Sequence, residues 1–418
     1  MDKIRIRGGR PLLGTVTVSG AKNAALPAIA AALLTDQPLI LHNVPRVRDV
    51  LTMLRVLEHL GGEASLEHTG TCAVRVSRIG EPQAPYELVR TMRASVLVLG
   101  PLLARTGRAR VSLPGGCAIG ERPINLHLEG LSKLGAEVDL VHGYITARSS
   151  RLHGADITFA GRTVTGTENL MMAASLADGR TLLRNCAMEP EIVNLAELLS
   201  AMGARIQGAG TDTITIEGVE TLASAEHTVI PDRIEAGTFL IAGAITRGEV
   251  SVSGCVPAHL TALTDLLASA GVPVRRDGDG TLATGRWDEL ASRDQTTAPY
   301  PAFATDLQAQ YMALMTQARG TAVITENIFE NRFMHAGELR RMGADITLDG
   351  AAAIVRGPTR LSGAPLMATD LRASASLILA GLVAEGTSVV DRVYHIDRGY
   401  ERIEEKLRAL GADIERIR

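Results

Sequence analysis

One short phrase occurs six times in this chain of 418 residues and limits its possible folds more than any other feature. It reads Leu-x-x-(Leu/Met/Ala)-Gly-(Ala/Gly/Val)-x-(Ile/Val/Ala), with its glycine at Gly61, Gly135, Gly203, Gly271, Gly343 and Gly411. The intervals between these glycines are 74, 68, 68, 72 and 68 residues. A near-constant period through a whole sequence means repeated copies of one supersecondary unit. Each copy reads as a helix end, a glycine able to take the left-handed cap conformation, and the start of a strand.

A second series runs in phase with the first. Ala-rich apolar stretches lie ahead of each phrase, at Asn23–Leu34, Arg93–Leu103, Thr167–Leu176, Arg233–Ile245, Asp306–Met315 and Asp370–Val383. They are apolar nearly all round, which predicts fully buried helices. Short Val/Ile/Leu strands follow, as in Thr321–Thr325 and Thr387–Val390. The helices that end in the glycine phrase are amphipathic and charged, as over Arg402–Leu410. The chain therefore reads as an α/β protein, too long for a single core, with two domains of three units each.

Composition narrows the function. No apolar run reaches the roughly 18 residues of a membrane span, and the start Met-Asp-Lys-Ile-Arg has no apolar signal core, so a cytoplasmic location is expected. Cys72, Cys117, Cys186 and Cys255 lie far apart without Cys-x-x-Cys spacing, which favours reduced thiols over disulfides or a zinc site. With a net charge of −3 and 3% aromatic residues, neither a nucleic-acid face nor a base-stacking platform is indicated. Dinucleotide and Walker fingerprints are missing.

Only Lys3, Lys22, Lys133 and Lys406 are lysines among 43 basic residues. Lys22 stands in Ser19-Gly20-Ala21-Lys22-Asn23, where the first buried helix begins; a solvated lysine is the plain reading, an anion-binding one the alternative. Equivalent places and the loops ahead of the second helix type carry Arg93, Arg122, Arg233, Arg332, Arg372 and Arg398. Repeated units place equivalent loops at equivalent ends, so these cations are expected to converge on a small polyanion. Cys117 follows Pro114-Gly115-Gly116 and stands five residues from Arg122, conditions that expose a thiol and lower its pKa. The other three cysteines read as small buried hydrophobes. Asp306 and Asp370 open buried helices, where N-capping is the ordinary assignment and a base role the alternative.

At these residues the chain resembles the UDP-N-acetylglucosamine enolpyruvyl transferase (MurA) family of the EPSP synthase superfamily. The likeness is carried by Ser-Gly-Ala-Lys-Asn-Ala-Ala-Leu-Pro, Pro-Gly-Gly-Cys-x-Ile-Gly-x-Arg-Pro, Asp-Arg-Ile-Glu-x-Gly-Thr-Phe, Glu-Asn-Arg-Phe-Met-His and His-Ile-Asp-Arg-Gly-Tyr-Glu-Arg-Ile, and it spans the whole chain. It implies a two-domain inside-out α/β barrel of six βαβαββ repeats, one domain over 22–229 and the other over 1–21 and 230–418. It implies transfer of enolpyruvyl from phosphoenolpyruvate to the 3′-hydroxyl of UDP-N-acetylglucosamine, a step of peptidoglycan synthesis, with no cofactor, no metal, no nucleic acid and no membrane insertion.

By the same resemblance, Lys22, Arg122 and Arg398 would hold the phosphate, and Arg332 and Arg372 the carboxylate. Cys117 would be the proton donor and Asp306 the proton acceptor. Contacts to the nucleotide sugar would fall on Asn23, Arg93, Arg122, Pro123, Ile124, Asn125, Leu126, Arg162, Thr163, Val164, Thr165, Asp306 and Ile328, with Asp370 also at the site. Because these residues come from both domains, closure on ligand binding is expected.

Three positions depart from the family pattern. Asn125 replaces an aspartate that commonly contacts uracil, Ala304 replaces the proline of Phe-Pro-Thr-Asp, and Thr163-Val164-Thr165-Gly166-Thr167 replaces Ser-Val-Gly-Ala-Thr. The alternatives are enolpyruvyl transfer to shikimate 3-phosphate or to another nucleotide. A ring-shaped DNA clamp also has six βα units, but it needs basic helices around its hole, whereas half the helices here read as buried.

Overall fold

The computed structural model describes residues 2–90, 92–113 and 124–418. They form two compact units: a central one within residues 20–230, and a terminal one that joins residues 2–19 to 231–418. Each has its own apolar core.

All six repeat glycines have positive φ, between 92° at Gly135 and 107° at Gly203. In each repeat an amphipathic helix stops there and the chain turns into a strand, as where Met334–Arg341 leads through Gly343 into Asp345–Asp349. A Cβ in this left-handed conformation is strained, which is why the phrase keeps glycine.

The apolar helices are buried around their whole circumference. Leu371–Val383 is buried at every residue but its last, and Arg233–Ile245 at every residue but its first. Within the terminal unit these two pack with Thr305–Met315. Two predicted starts differ. Arg93–Val98 is a 3-10 helix that becomes α-helical only over Leu99–Thr106. The helix predicted from Thr167 begins at Val164, because the Thr163 hydroxyl accepts from the Gly166 N–H at 3.1 Å and sets the start by capping.

Six four-stranded sheets are formed by the described residues. In four of them the single parallel pair is joined through a buried helix, as in Gln295–Thr296 with Gly320–Thr325. The other two exchange partners: Leu13–Thr17 lies parallel to Glu249–Ser253, and Ala225–Thr228 parallel to Leu39–His42. The exchange occurs where the chain passes from one unit to the other and back. The last sheet is completed from the far end of the sequence, with Lys3–Arg7 antiparallel to both Thr387–Asp391 and Asp413–Ile417.

Candidate active site

In the terminal unit three predicted residues meet. Arg332 Nη2 donates to Asp306 Oδ1 and Arg372 Nη2 to Asp306 Oδ2, each at 2.7 Å. The two arginine side chains are 3% and 4% exposed, the carboxylate 25%. Burial opposes the charge on Arg372, but the Asp306 carboxylate outweighs it and holds the guanidinium protonated, well above its ordinary value. Arg332 Nε and Arg372 Nη1 are buried donors with no hydrogen-bond partner among the described residues. Two cations, one anion and two unspent N–H groups suit a further anionic acceptor.

The assignment of Asp306 as a helix cap is corrected here. The N-cap of Thr305–Met315 is Ala304, with no side-chain cap bond, and Asp306 lies in the first turn. The two arginines provide stronger, charged donors than backbone N–H groups, and they take the carboxylate. Asp370 does cap its helix, accepting from the N–H groups of Arg372 and Ala373. That cap fixes the first turn of the helix carrying Arg372. Ala304 has φ −69° and ψ 130°, values that a proline also adopts, so the missing ring leaves the backbone path unchanged.

What fixes the uncapped helix is Glu326, which is 4% exposed. Its Oε2 accepts from the Thr305 hydroxyl at 2.8 Å. Its Oε1 accepts from the Thr297 hydroxyl and the Ile328 N–H, each at 2.8 Å, and from the Phe329 N–H at 3.2 Å. Four donors compensate the burial of this carboxylate. They also orient the loop to Arg332, whose guanidinium lies 5.4 Å from the Phe329 ring centroid.

Behind Arg372, 5.6 Å away, lies the buried Tyr400 ring. Thr238 donates its hydroxyl to Ile234 O, so the Tyr400 hydroxyl at 2.8 Å is the donor to Thr238 Oγ1. Gln310 Nε2 reaches both oxygens at 3.1 Å, and Asp306 O at 3.0 Å. Burial pushes the Tyr400 phenol above its usual range, so it stays neutral beside the guanidinium. Arg398 ends the 3-10 helix Val393–Arg398 and is half-buried. Its neighbour Asp397 takes a bidentate pair from Arg416, at 2.7 and 3.0 Å.

In the central unit Lys22 is the first residue of Lys22–Ala31. Its side chain is 12% exposed and pairs with Asp49 Oδ2 at 3.2 Å, so the solvated reading does not hold. Asp49, 3% exposed, supplies the negative charge that a lysine at a helix N-terminus needs. Asn23 and Arg93 are half-buried at the starts of their helices. Ile124 is the N-cap of Asn125–Lys133, Leu126 lies in its first turn, and Asn125 Nδ2 reaches Glu129 Oε1 at 3.3 Å. That helix packs on Val164–Ala174, which brings Ile124, Asn125 and Leu126 to the neighbourhood of Thr163, Val164 and Thr165. Arg162 is exposed beside them. Ile328 lies in the terminal unit's Glu326 loop. Cys117, Arg122 and Pro123 lie outside the described residues.

Sequence reasoning gave no role to Asp49, Glu326, Tyr400 or Gln310. Tyr400 stands inside one of the quoted motifs, but nothing in that motif marks its ring as buried. Cys72, Cys186 and Cys255 are buried free thiols, as expected.

The family model described as EPSP synthase (3-phosphoshikimate 1-carboxyvinyltransferase) matches residues 6–407. The UDP-N-acetylglucosamine 1-carboxyvinyltransferase of Solibacter usitatus is 62% identical over 418 residues, covering 100% of both chains. That of Koribacter versatilis is 61% identical, covering 100% of this chain and 97% of its own. Among solved structures, the enolpyruvyl transferase NikO from Streptomyces tendae superposes with a TM-score of 0.90 at 26% identity, over 99% of this chain and 98% of that one. An EPSP synthase from Acinetobacter baumannii, at 18% identity with 100% of each chain covered, shares the fold with a TM-score of 0.76. The repeat architecture and this full-length likeness agree: the chain belongs to the EPSP synthase family, in its UDP-N-acetylglucosamine 1-carboxyvinyltransferase branch.

Proposed function

We propose that this protein transfers the enolpyruvyl group of phosphoenolpyruvate to the 3′-hydroxyl of UDP-N-acetylglucosamine and releases phosphate, serving peptidoglycan synthesis in the cytoplasm. The observation that carries this reading is the 62% identity, over 100% of both chains, to a UDP-N-acetylglucosamine 1-carboxyvinyltransferase. Among the described residues no helix is long and apolar enough to cross a membrane.

Carbon C2 of the enol phosphate is a poor electrophile until C3 is protonated. Cys117 delivers that proton. Arg332 and Arg372 bind the substrate carboxylate through the donors that now face Asp306 and through their unspent N–H groups, while Lys22, Arg122 and Arg398 hold the phosphate. Asp306 takes the proton of the sugar hydroxyl as its oxygen adds to C2, forming a tetrahedral phospholactoyl ketal. The Cys117 thiolate takes back a C3 proton as phosphate leaves, which forms the enol ether on the sugar. Fixed cations around both anionic groups supply a large part of the rate. The nucleotide sugar is held by Asn23, Arg93, Ile124, Asn125, Leu126, Arg162, Thr163, Val164, Thr165 and Ile328, with Pro123 and Asp370 at the site.

The test is phosphate release from phosphoenolpyruvate, with UDP-N-acetylglucosamine and shikimate 3-phosphate offered in parallel and Cys117→Ser alongside. Release with the nucleotide sugar alone, lost or strongly pH-shifted in the variant, supports the reading. Release with shikimate 3-phosphate alone, or with neither acceptor, overturns it.

A further inference from the structure

His127 is buried in the central unit, 2% exposed, and one of its two ring nitrogens meets a group of fixed polarity. Its Nδ1 lies 3.0 Å from Asn169 Nδ2, and its Nε2 lies 3.2 Å from the Thr165 hydroxyl oxygen. The amide of Asn169 cannot be reversed. Its Oδ1 accepts from the Gly100 N–H at 2.7 Å, and its Nδ2 donates to Val96 O at 3.0 Å. A backbone donor and a backbone acceptor thus orient it independently of the histidine. A side chain at position 100 would collide with the Asn169 oxygen, so glycine is what lets the helix Leu99–Thr106 approach this closely.

The polarity then propagates. Because Asn169 turns a donor toward Nδ1, that nitrogen carries the lone pair and the proton of the neutral ring is on Nε2. Burial pushes the ring pKa down to about 4, so the neutral form is the one present near pH 7. Nε2–H donates to Thr165 Oγ1, and the single hydrogen of that hydroxyl must point elsewhere. Thr165 is half-buried in the first turn of Val164–Ala174, where the free N–H groups of a helix start already favour an anion. Thr165 also stands where the Ser-Val-Gly-Ala-Thr form has glycine, so its hydroxyl adds a donor that the glycine form lacks.

We propose that His127 is a positioning residue that fixes the Thr165 hydroxyl as a hydrogen-bond donor to an anionic oxygen of the bound nucleotide diphosphate. This rests on the nucleotide-sugar reading above. A phosphate oxygen only accepts, so a hydroxyl locked as donor matches it with no reorientation on binding. With a protonated Nδ1 the same hydroxyl could turn its hydrogen to the ring and face the diphosphate with a lone pair.

Calorimetric titration with UDP, and separately with uridine, tests the assignment in the full-length protein. Thr165→Val should weaken UDP binding about tenfold, the weight of a hydrogen bond to a charged group, and leave uridine binding unchanged. Thr165→Ser should restore it. His127→Phe should lose a similar factor, and the double variant should lose no more than either single one. Unchanged UDP binding in Thr165→Val overturns the proposal, as does an additive loss in the double variant. If His127→Phe does not fold, the Thr165 variants still decide. The ring nitrogen shifts of His127 in the unliganded protein give a check independent of activity. A proton on Nδ1 overturns the proposal and leaves the enzymatic reading intact, whereas failure of the wild-type protein to bind UDP or UDP-N-acetylglucosamine defeats that reading instead.

Discussion

Thr305 donates its hydroxyl to Glu326 Oε2 at 2.8 Å, and this one bond ties the helix that carries Asp306 to the loop that carries Arg332. The circuit closes on itself, since Glu326 Oε1 holds the Ile328 and Phe329 N–H groups while Arg332 returns to Asp306. Thr163, Asp232 and Asp370 cap their own buried helices, but the helix bearing Asp306 depends on a residue from another segment.

Thr305→Val removes that tether and leaves a buried carboxylate oxygen without its donor. Stability should fall by about 1–3 kcal/mol, and kcat should fall about a hundredfold through misalignment of Asp306. Urea unfolding and steady-state phosphate release read the two effects separately. A wild-type kcat at reduced stability would show the tether to be purely structural.

Asp306→Asn keeps the shape of the side chain but removes its basicity and its charge. Phosphate release should drop by about 10³-fold, the range for a lost general base. Phosphoenolpyruvate, measured by equilibrium dialysis with the nucleotide sugar present, should bind at least as tightly as before, because the two guanidiniums no longer hold an anion of their own. Arg372→Met should instead weaken that binding by about two orders of magnitude.

The histidine buried beside Thr165 predicts a pH dependence of stability. Its folded pKa, about 4, lies below the ordinary value of 6.5, because burial disfavours the imidazolium. Between these values the unfolded chain binds more protons than the folded one, so the stabilisation present above pH 6.5 is lost as pH falls toward 4. At 1.36 kcal/mol per unit, the loss from His127 is about 3 kcal/mol. The burial of His335 acts in the same direction. Urea midpoints between pH 4 and 7 should show a slope that flattens in His127→Phe.

Thiol reactivity should separate the cysteines. Burial pushes Cys72 up to about 11 and Cys186 up to about 12, and it raises Cys255. In native protein at pH 8, iodoacetamide should spare these three and label Cys117 alone, with all four labelled in urea. Mass spectrometry of the digested protein gives the count. Native labelling at Cys72 or Cys186 would contradict their burial.

Much of the fold was legible in the sequence because the repeat glycines and the all-round apolar helices are local patterns. Helix starts were less legible. Hydrophobicity marks where Thr167 enters the core, but the Thr163 cap, three residues before Gly166, sets where the helix begins. The side chains of the site were legible as residue types and not as partners. Asp306 reads as a cap in sequence, yet its carboxylate is settled by arginines 26 and 66 positions away. The tautomer of His127 depends on an amide 42 positions along the chain and on two backbone groups beyond it. Non-local hydrogen bonds of this kind leave no periodic trace.

The last sheet has a consequence for how the protein comes into being. Lys3–Arg7 is made well before Thr387–Asp391 and Asp413–Ile417, the two strands it lies between. The central unit finds every strand of its three sheets within residues 39–228 and can close while translation continues. The terminal unit must keep Lys3–Arg7 unpaired until those two strands have been made, carrying exposed edge groups through the elongation of everything between them. Nascent-chain maturation should therefore proceed with the central unit ahead of the terminal one, and Lys3–Arg7 should gain protease resistance late.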